Sequence, residues 1–228
     1  MTLHLESRSD LAAPAPAPAR KPFWRRPWVG PLAVLVIYYL YTQSKPFVGV
    51  PESRAPLQPH DNFPLYYPVL IVHMISATIA MLAVVPQVWP WLRIHHPKVH
   101  RVCGRVYLLG SLVAVAAGLV VIWWAPKSGK IGALCLLLVW GSTSAIAYHA
   151  ARRRNYAKHR QFMLYSFAIA MNNLWAAFGL LALVKLRIPI DPVYQPEASR
   201  WIPWVGNLML VQWWLYRTAR PAEVRSQR

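Results

Sequence analysis

The chain has 228 residues, 56% of them hydrophobic, and its 25 lysines and arginines face only 7 acidic residues, which gives a formal net charge of +18. Apolar stretches of about 20 residues, the length that spans a bilayer, recur along it, so an ordinary soluble domain is excluded and an integral membrane protein is predicted. Nucleic-acid binding is disfavoured, because the positive charge is divided among separate segments that flank apolar stretches.

The first 27 residues are predicted to be a disordered, basic tail. Their Ala-Pro tract at 11–19 cannot form regular helix. A basic start and an apolar body follow, without a convincing small-residue cleavage site, so we expect an uncleaved first helix.

Six apolar segments follow, of which the first and last are short. They predict an all-α, polytopic bundle over residues 28–217, in which the middle four helices form the core and the outer two are peripheral. A basic tail is predicted at 218–228. The predicted spans are 28–42, 64–92, 106–125, 131–151, 161–184 and 201–216.

The positions of the basic residues predict the orientation of the chain in the membrane. Most of the 25 lie in the two tails and in the segments near 93–105 and 152–160. Since short cytoplasmic loops collect Lys and Arg, both termini are expected in the cytoplasm, with the bundle in a bacterial inner membrane. Cys103 and Cys135 then lie near opposite faces and cannot pair within one subunit.

None of the seven acidic residues falls in a predicted span, which weakens the hypothesis of a proton pump or a cation-coupled transporter. The polar groups within the spans must therefore carry any mechanism. They are His73, Gln87, Ser142, Thr143, Ser144, Asn172 and Asn173.

Helical spacing places several polar groups on single faces, which are expected to converge on the bundle axis or simply to hold the helices together. The second span has the face His73, Ala77, Ala80, Val84 and Gln87. The third has Gly104, Tyr107, Ser111, Ala114 and Gly118, and the fifth has His159, Met163, Ser166, Ala170 and Asn173. His73 lies about nine residues inside its span, where an ionisable side chain suggests either a functional site or a neutral interhelical hydrogen bond.

Two basic segments of similar composition are predicted on the cytoplasmic side. "HHPKVHRVCGR" at 95–105 precedes the third span, and "YHAARRRNYAKHRQFMLY" at 148–165 enters the fifth. In each, a Lys-His-Arg or Lys-x-His-Arg sequence is followed by a tyrosine: His100 with Tyr107, and His159 with Tyr165.

The segment from His73 to Leu183 resembles a bacterial family of predicted membrane proteins known as domain of unknown function twenty-three-oh-six. The resemblance is carried by His73, by Gln87 before Arg93, by "HRVCGRVY" at 100–107 and by "HRQFMLYSFA" at 159–168. The chain departs from the family pattern where Trp-Met-x-Arg tends to follow the second His-Arg and where this chain has Phe162 to Tyr165. The resemblance implies the topology and supplies no reaction.

Three kinds of site remain open for the histidines. Anion binding would use Arg101 and Arg105, one turn apart beside a tight turn at Gly104, with Arg160. A b-type haem, as in cytochrome bundles, would take axial ligands from His100, His149 and His159. A site made of imidazoles alone for zinc or copper is disfavoured by the surrounding arginines.

The sequence thus predicts a multi-pass membrane protein that binds a small ligand or an anionic lipid head group between its core helices and the histidines and arginines of the two cytoplasmic segments. The alternatives are a membrane redox protein with haem b and a structural or assembly subunit that docks a membrane-protein partner through its outer helices. The binding residues proposed are His73, Gln87, His100, Arg101, Arg105, Tyr107, His159, Arg160 and Asn173.

Overall fold

The computed structural model describes residues 28–51, 54, 63–125, 127–189, 191 and 193–226. The predicted tail at 1–27 and the last two residues of the tail at 218–228 lie outside these ranges. Every regular element in the described ranges is helical, and one 3-10 turn, Ile122–Trp124, follows α4. The helices are α1 Val29–Ser44, α2 Tyr66–Gln87, α3 Pro90–His95, α4 Pro97–Val121, α5 Lys130–Arg152, α6 Tyr156–Ala170, α7 Asn172–Lys185 and α8 Gln195–Ser226.

Prolines determine where α3 and α4 begin, and the helix boundaries here therefore differ from those of two predicted spans. The predicted span 64–92 ends at Gln87, and Trp89 is extended, as the residue before a proline prefers. Pro90 and Pro97 occupy the first positions of α3 and α4, where a missing N–H costs nothing. As a result α4 begins well before the predicted span 106–125, and the basic segment 97–105 is helical.

The predicted span 161–184 is two helices. The axis bends by 42° between α6 and α7, and Met171 is the single residue between them. By contrast α5 matches its predicted span closely, whereas α8 is longer at both ends than the predicted 201–216.

The core is a bundle in which α2 packs on α4 and α5 packs on α6, with α4 against α5 and α2 against α6. Small residues allow the closest approach. A Cβ placed on Gly110 of α4 would lie 3.0 Å from the carbonyl oxygen of Ser76 and 3.2 Å from the amide nitrogen of Ala80, both on α2. The two backbones therefore touch there, as in small-residue helix contacts within membranes.

The outer helices also join this core. α1 packs on α2 and buries Val36 completely. α8 contacts α5, α6 and α7, and its side chain Asn207 donates to the carbonyl oxygen of Ala168 at 2.9 Å. At its beginning, Glu197 accepts a hydrogen bond from the amide of Gly129. α8 is thus tied to the core by polar contacts along its length.

Among the helices that the structure describes, three are long and apolar enough to cross a membrane: α2, α4 with its 3-10 turn, and α5. The bent pair of α6 and α7 makes a fourth if it is one span. The prediction of an all-α, polytopic membrane protein is confirmed. The number of six spans and the cytoplasmic position of the termini stay predictions, since α1 has only 16 residues and α8 does not meet the same test.

Candidate functional site

His73 on α2 is held against α4 by a polar and a steric contact. Its Nδ1 lies 2.7 Å from the carbonyl oxygen of Ala114. Because a carbonyl only accepts, Nδ1 carries the proton, and in the neutral ring Nε2 is the nitrogen with a free lone pair. Gly118, one turn further along α4, provides the room, since a Cβ there would lie 3.0 Å from Nδ1. The predicted faces of the second and third spans do meet here.

Four side chains form a hydrogen-bonded cluster between α4, α5 and α6. Tyr107 and Ser166 are both 0% exposed, and their hydroxyl oxygens are 2.5 Å apart. The Ser166 hydroxyl also lies 2.7 Å from that of Ser144, and Trp140 Nε1 donates to the Tyr107 hydroxyl at 3.0 Å. The edge of Phe167 packs on the Tyr107 ring. The sequence placed Tyr107 and Ser166 on inward faces, but nothing in its periodicity paired them with Trp140.

The ends of α2, α5 and the starts of α4 and α6 lie together at one end of the bundle, which we call the basic end. There Gln87 Nε2 donates to the carbonyl oxygen of His100 at 2.6 Å. Gly104 lies within α4 and not in a turn, which corrects the prediction, and a Cβ on it would lie 3.5 Å from Gln87 Nε2. Gly104 thus lets the Gln87 amide pack against the backbone of α4.

His100 and His159 lie within electrostatic range of each other across the α4–α6 side of the basic end. His159 Nδ1 donates to the carbonyl oxygen of Ala147 on α5 at 2.9 Å, so its Nε2 is the free nitrogen. His100 Nδ1 is buried and has no hydrogen-bond partner among the described residues. The structure therefore places two of the three predicted histidines close enough for their charges to interact, and it leaves the buried Nδ1 of His100 without a hydrogen-bond partner among the described residues.

The third predicted histidine and one predicted asparagine lie elsewhere. His149 is exposed on α5. Asn173 was expected on the inner face that contains Ser166, but its side chain is exposed and Asn172 is buried instead. The reason is the break at Met171, which turns α7 relative to α6 and changes which of the two asparagines faces the core.

Arg101 and Arg105 are exposed on the flank of α4, one turn apart. Arg160 has a partner of its own, because its guanidinium lies 5.5 Å from the ring centroid of Trp214 on α8. Arg93 of α3 was not among the predicted site residues, yet it is exposed and within electrostatic range of His100. The sequence did not show this proximity, because the predicted span 64–92 included the start of the separate helix α3.

The helices α2 to α7, which include those that form the basic end, contain no acidic residue. From Asn62 to Ile190 the sequence contains no aspartate or glutamate. Among the described residues no group of three or more His, Cys, Asp or Glu side chains is placed to hold a metal ion. Cationic and imidazole groups are therefore what this end of the bundle offers to a ligand.

The comparisons with known proteins concern the family alone. The sequence model of a family described as "Predicted membrane protein (DUF2306)" matches residues 70–215, which include all of the core helices α2 to α7 except the first turn of α2. The chain has no significant match among curated proteins or among solved structures.

Proposed function

Because this chain belongs to the DUF2306 family of predicted membrane proteins, we propose that it is a multi-pass membrane protein that binds an anionic, phosphate-bearing lipid head group at its basic end. The binding residues would be His100, Arg101, Arg105 and Arg93, which we call the His/Arg corner. By the distribution of its Lys and Arg residues, this corner faces the cytoplasm.

The observation that carries the proposal is the set of exposed arginines beside His100 in a stretch of chain without any carboxylate. Arginines that have no acidic partner among the described residues remain available for an external anion, and their planar guanidinium groups match the geometry of phosphate. A lipid surface that carries anionic head groups attracts such side chains by about 1 kcal/mol each.

Two further groups fit a phosphate. The first-turn N–H groups of α4 point out of the helix, and no side chain caps them. Such groups and the helix dipole favour negative charge. The buried Nδ1 of His100 lacks a partner among the described residues, and in the neutral tautomer that carries its proton on Nδ1 it would donate to a phosphate oxygen.

The test is native mass spectrometry of the detergent-purified protein with added phosphatidylglycerol and, separately, phosphatidylcholine. The double variant Arg101→Ala/Arg105→Ala is compared with Arg152→Ala/Arg153→Ala, which removes the same charge at the C-terminal end of α5. Each lost arginine is expected to weaken retention of phosphatidylglycerol roughly fivefold in the first variant. Phosphatidylcholine adducts should be unchanged.

Equal losses in the two double variants would mean that charge in bulk attracts the lipid and that the corner is not a specific site. Unchanged retention in Arg101→Ala/Arg105→Ala would remove the proposal altogether. Insertion into the membrane is expected to be normal in both variants, since each keeps most of the basic residues that determine orientation.

A second candidate function, a b-type cytochrome, is favoured by one observation. The Nδ1 of His159 is occupied by a backbone carbonyl, which is how haem- and metal-binding histidines are commonly oriented with Nε2 free. His100 and His159 would then be the axial pair, since His149 is exposed. Bound haem would supply one-electron chemistry.

A visible spectrum of protein from haem-replete cells, oxidised and then reduced with dithionite, separates the two candidates. A cytochrome should show a Soret band, with α and β bands that sharpen on reduction and that disappear in His159→Leu. A colourless protein would eliminate the cytochrome and leave the lipid-binding corner as the remaining candidate.

A further inference from the structure

The break between α6 and α7 is remote from the His/Arg corner and lies near the middle of the bent pair that can form one membrane span. The amide of Met171 donates to Phe167 at 3.1 Å, and the carbonyl of Met171 accepts from Trp175 at 3.2 Å. Around this residue the last carbonyls of α6 and the first N–H groups of α7 have no partner within their own helix. Within a bilayer such groups must be satisfied by protein or by a ligand.

One of these carbonyls has a partner from another helix. The side chain of Asn207 on α8 donates to the carbonyl oxygen of Ala168 at 2.9 Å. The first turn of α7, however, has no side-chain cap. The break thus presents backbone N–H groups on its α7 side.

Beside these N–H groups lies an unsatisfied acceptor. Asn172, the first residue of α7, is 3% exposed, and its Nδ2 donates to Asn173 Oδ1 at 2.9 Å. Its own Oδ1 is buried and has no hydrogen-bond partner among the described residues. A buried polar atom without a partner costs about 1–3 kcal/mol, so its presence in the core calls for a partner from outside the described residues.

The buried side chains near Asn172 in the sequence give its Oδ1 atom no hydrogen bond. Ile169, Met171 and Leu174 are all buried and apolar. A cation is disfavoured, since the chain carries a net charge of +18 and has no carboxylate from Asn62 to Ile190. An anion is disfavoured as well, because the lone pairs of the Asn172 oxygen would repel it. The complementary group is neutral, and it both donates to Oδ1 and accepts from an N–H group, as a hydroxyl does.

The side from which such a group can arrive is indicated by Asn173. Its side chain is exposed and hydrogen-bonded to Asn172. Apart from Lys185 in the last turn, the other exposed side chains of this helix are apolar, among them Trp175 and Leu180. An exposed apolar face on a membrane-spanning helix faces lipid. We therefore propose that the α6–α7 break binds the hydroxyl group of a membrane-soluble molecule that enters from the bilayer, with Asn172 Oδ1 as the acceptor.

The experiment uses the full-length protein in lipid nanodiscs and two photoactivatable probes, a long-chain alcohol that carries a diazirine and the methyl ether of the same alcohol. After illumination, labelled peptides are mapped by mass spectrometry. The alcohol is expected to label residues around the break roughly fivefold more than the ether does, because only the alcohol can donate to Oδ1. Since both probes are applied to the wild-type protein, this comparison does not depend on the folding of a variant.

The variant Asn172→Leu removes the acceptor and keeps nearly the same shape. Its matched control is Gln161→Leu, which makes a similar amide-to-leucine change at an exposed side chain of α6 away from the break. Labelling by the alcohol should fall to the level of the ether in Asn172→Leu and remain within about twofold of wild type in Gln161→Leu. Without probe, Asn172→Leu should melt no lower than wild type, because it eliminates an unsatisfied buried atom.

Equal labelling of the break by the alcohol and the ether would overturn the proposal, and that is the result expected if the Asn172 oxygen only holds a buried water molecule. Labelling spread evenly over the lipid-facing helices would overturn it as well, since it would show no site at the break.

Discussion

The Nδ1 atom of His73 lies 2.7 Å from the carbonyl oxygen of Ala114, so α2 and α4 share a hydrogen bond at the point where Gly118 leaves room for the imidazole ring. This contact joins the histidine within α2 to the face of α4 that also contains Tyr107. The histidine and the small residues around it therefore form one interhelical contact.

We expect Gly118→Ala to destabilise the protein by about 1–3 kcal/mol, because the added methyl group would lie 2.8 Å from Leu137 Cδ2 and 3.0 Å from His73 Nδ1. Thermal unfolding in detergent measures the effect. Gly179→Ala is the control: no atom lies within 4 Å of its Cβ position, and it should stabilise α7 by about 0.5–1 kcal/mol. A Gly118→Ala protein that melts as high as wild type would show that the ring is not confined by this glycine.

Ser166→Ala is expected to cost about 1–3 kcal/mol, since it leaves the buried hydroxyls of Tyr107 and Ser144 without their shared partner. Ser142→Ala is the control, because Ser142 is exposed and bonds only within its own helix, so its effect should be below about 0.5 kcal/mol. Chemical unfolding of both variants measures the difference.

The same cluster predicts coupling between two of its members. Tyr107→Phe combined with Ser166→Ala should cost less than the sum of the two single changes, because each alone breaks the same hydrogen bond. Additive losses would indicate that the two hydroxyls contribute independently.

Arg154→Gly is expected to stabilise the protein by about 1 kcal/mol. Arg154 has φ 58°, the left-handed region that follows a helix end and favours glycine. The matched control is Arg153→Gly, which removes the same charge from a residue with φ −85° and should give no gain. Melting temperatures that fall equally in both variants would show that Arg154 makes contacts that outweigh its backbone strain.

Asn207→Ala should weaken the attachment of α8 to the core, because it leaves the carbonyl of Ala168 unpaired at the end of α6. Hydrogen exchange should become faster in α8 and around the break, with a loss of stability of about 1–3 kcal/mol. Thr218→Ala, which changes a hydroxyl that bonds only within α8, should leave exchange unaltered. Unchanged exchange in Asn207→Ala would mean that other contacts hold α8 in place.

Several features of this protein were predictable from local pattern alone. Length and hydropathy predicted the apolar helices, and the 3.6-residue period predicted that Tyr107, Ser111, Ala114 and Gly118 would be buried together on α4. These predictions held because a face is a property of one continuous helix and needs no knowledge of its partners. The basic residues around 95–105 and 152–160 were equally evident, but only the fold showed that they lie at the same end of the bundle.

Only the tertiary structure decided where a continuous apolar stretch is interrupted. No proline or glycine marks Met171, so 161–184 was predicted as one helix, and the inner face was extended from Ser166 to Asn173. In the fold, Asn207 of α8 donates a hydrogen bond to the Ala168 carbonyl, so this carbonyl is not left unpaired where the helix is interrupted. Because that donor comes from a helix distant in sequence, no periodicity within α6 and α7 could reveal that Asn172, and not Asn173, is buried.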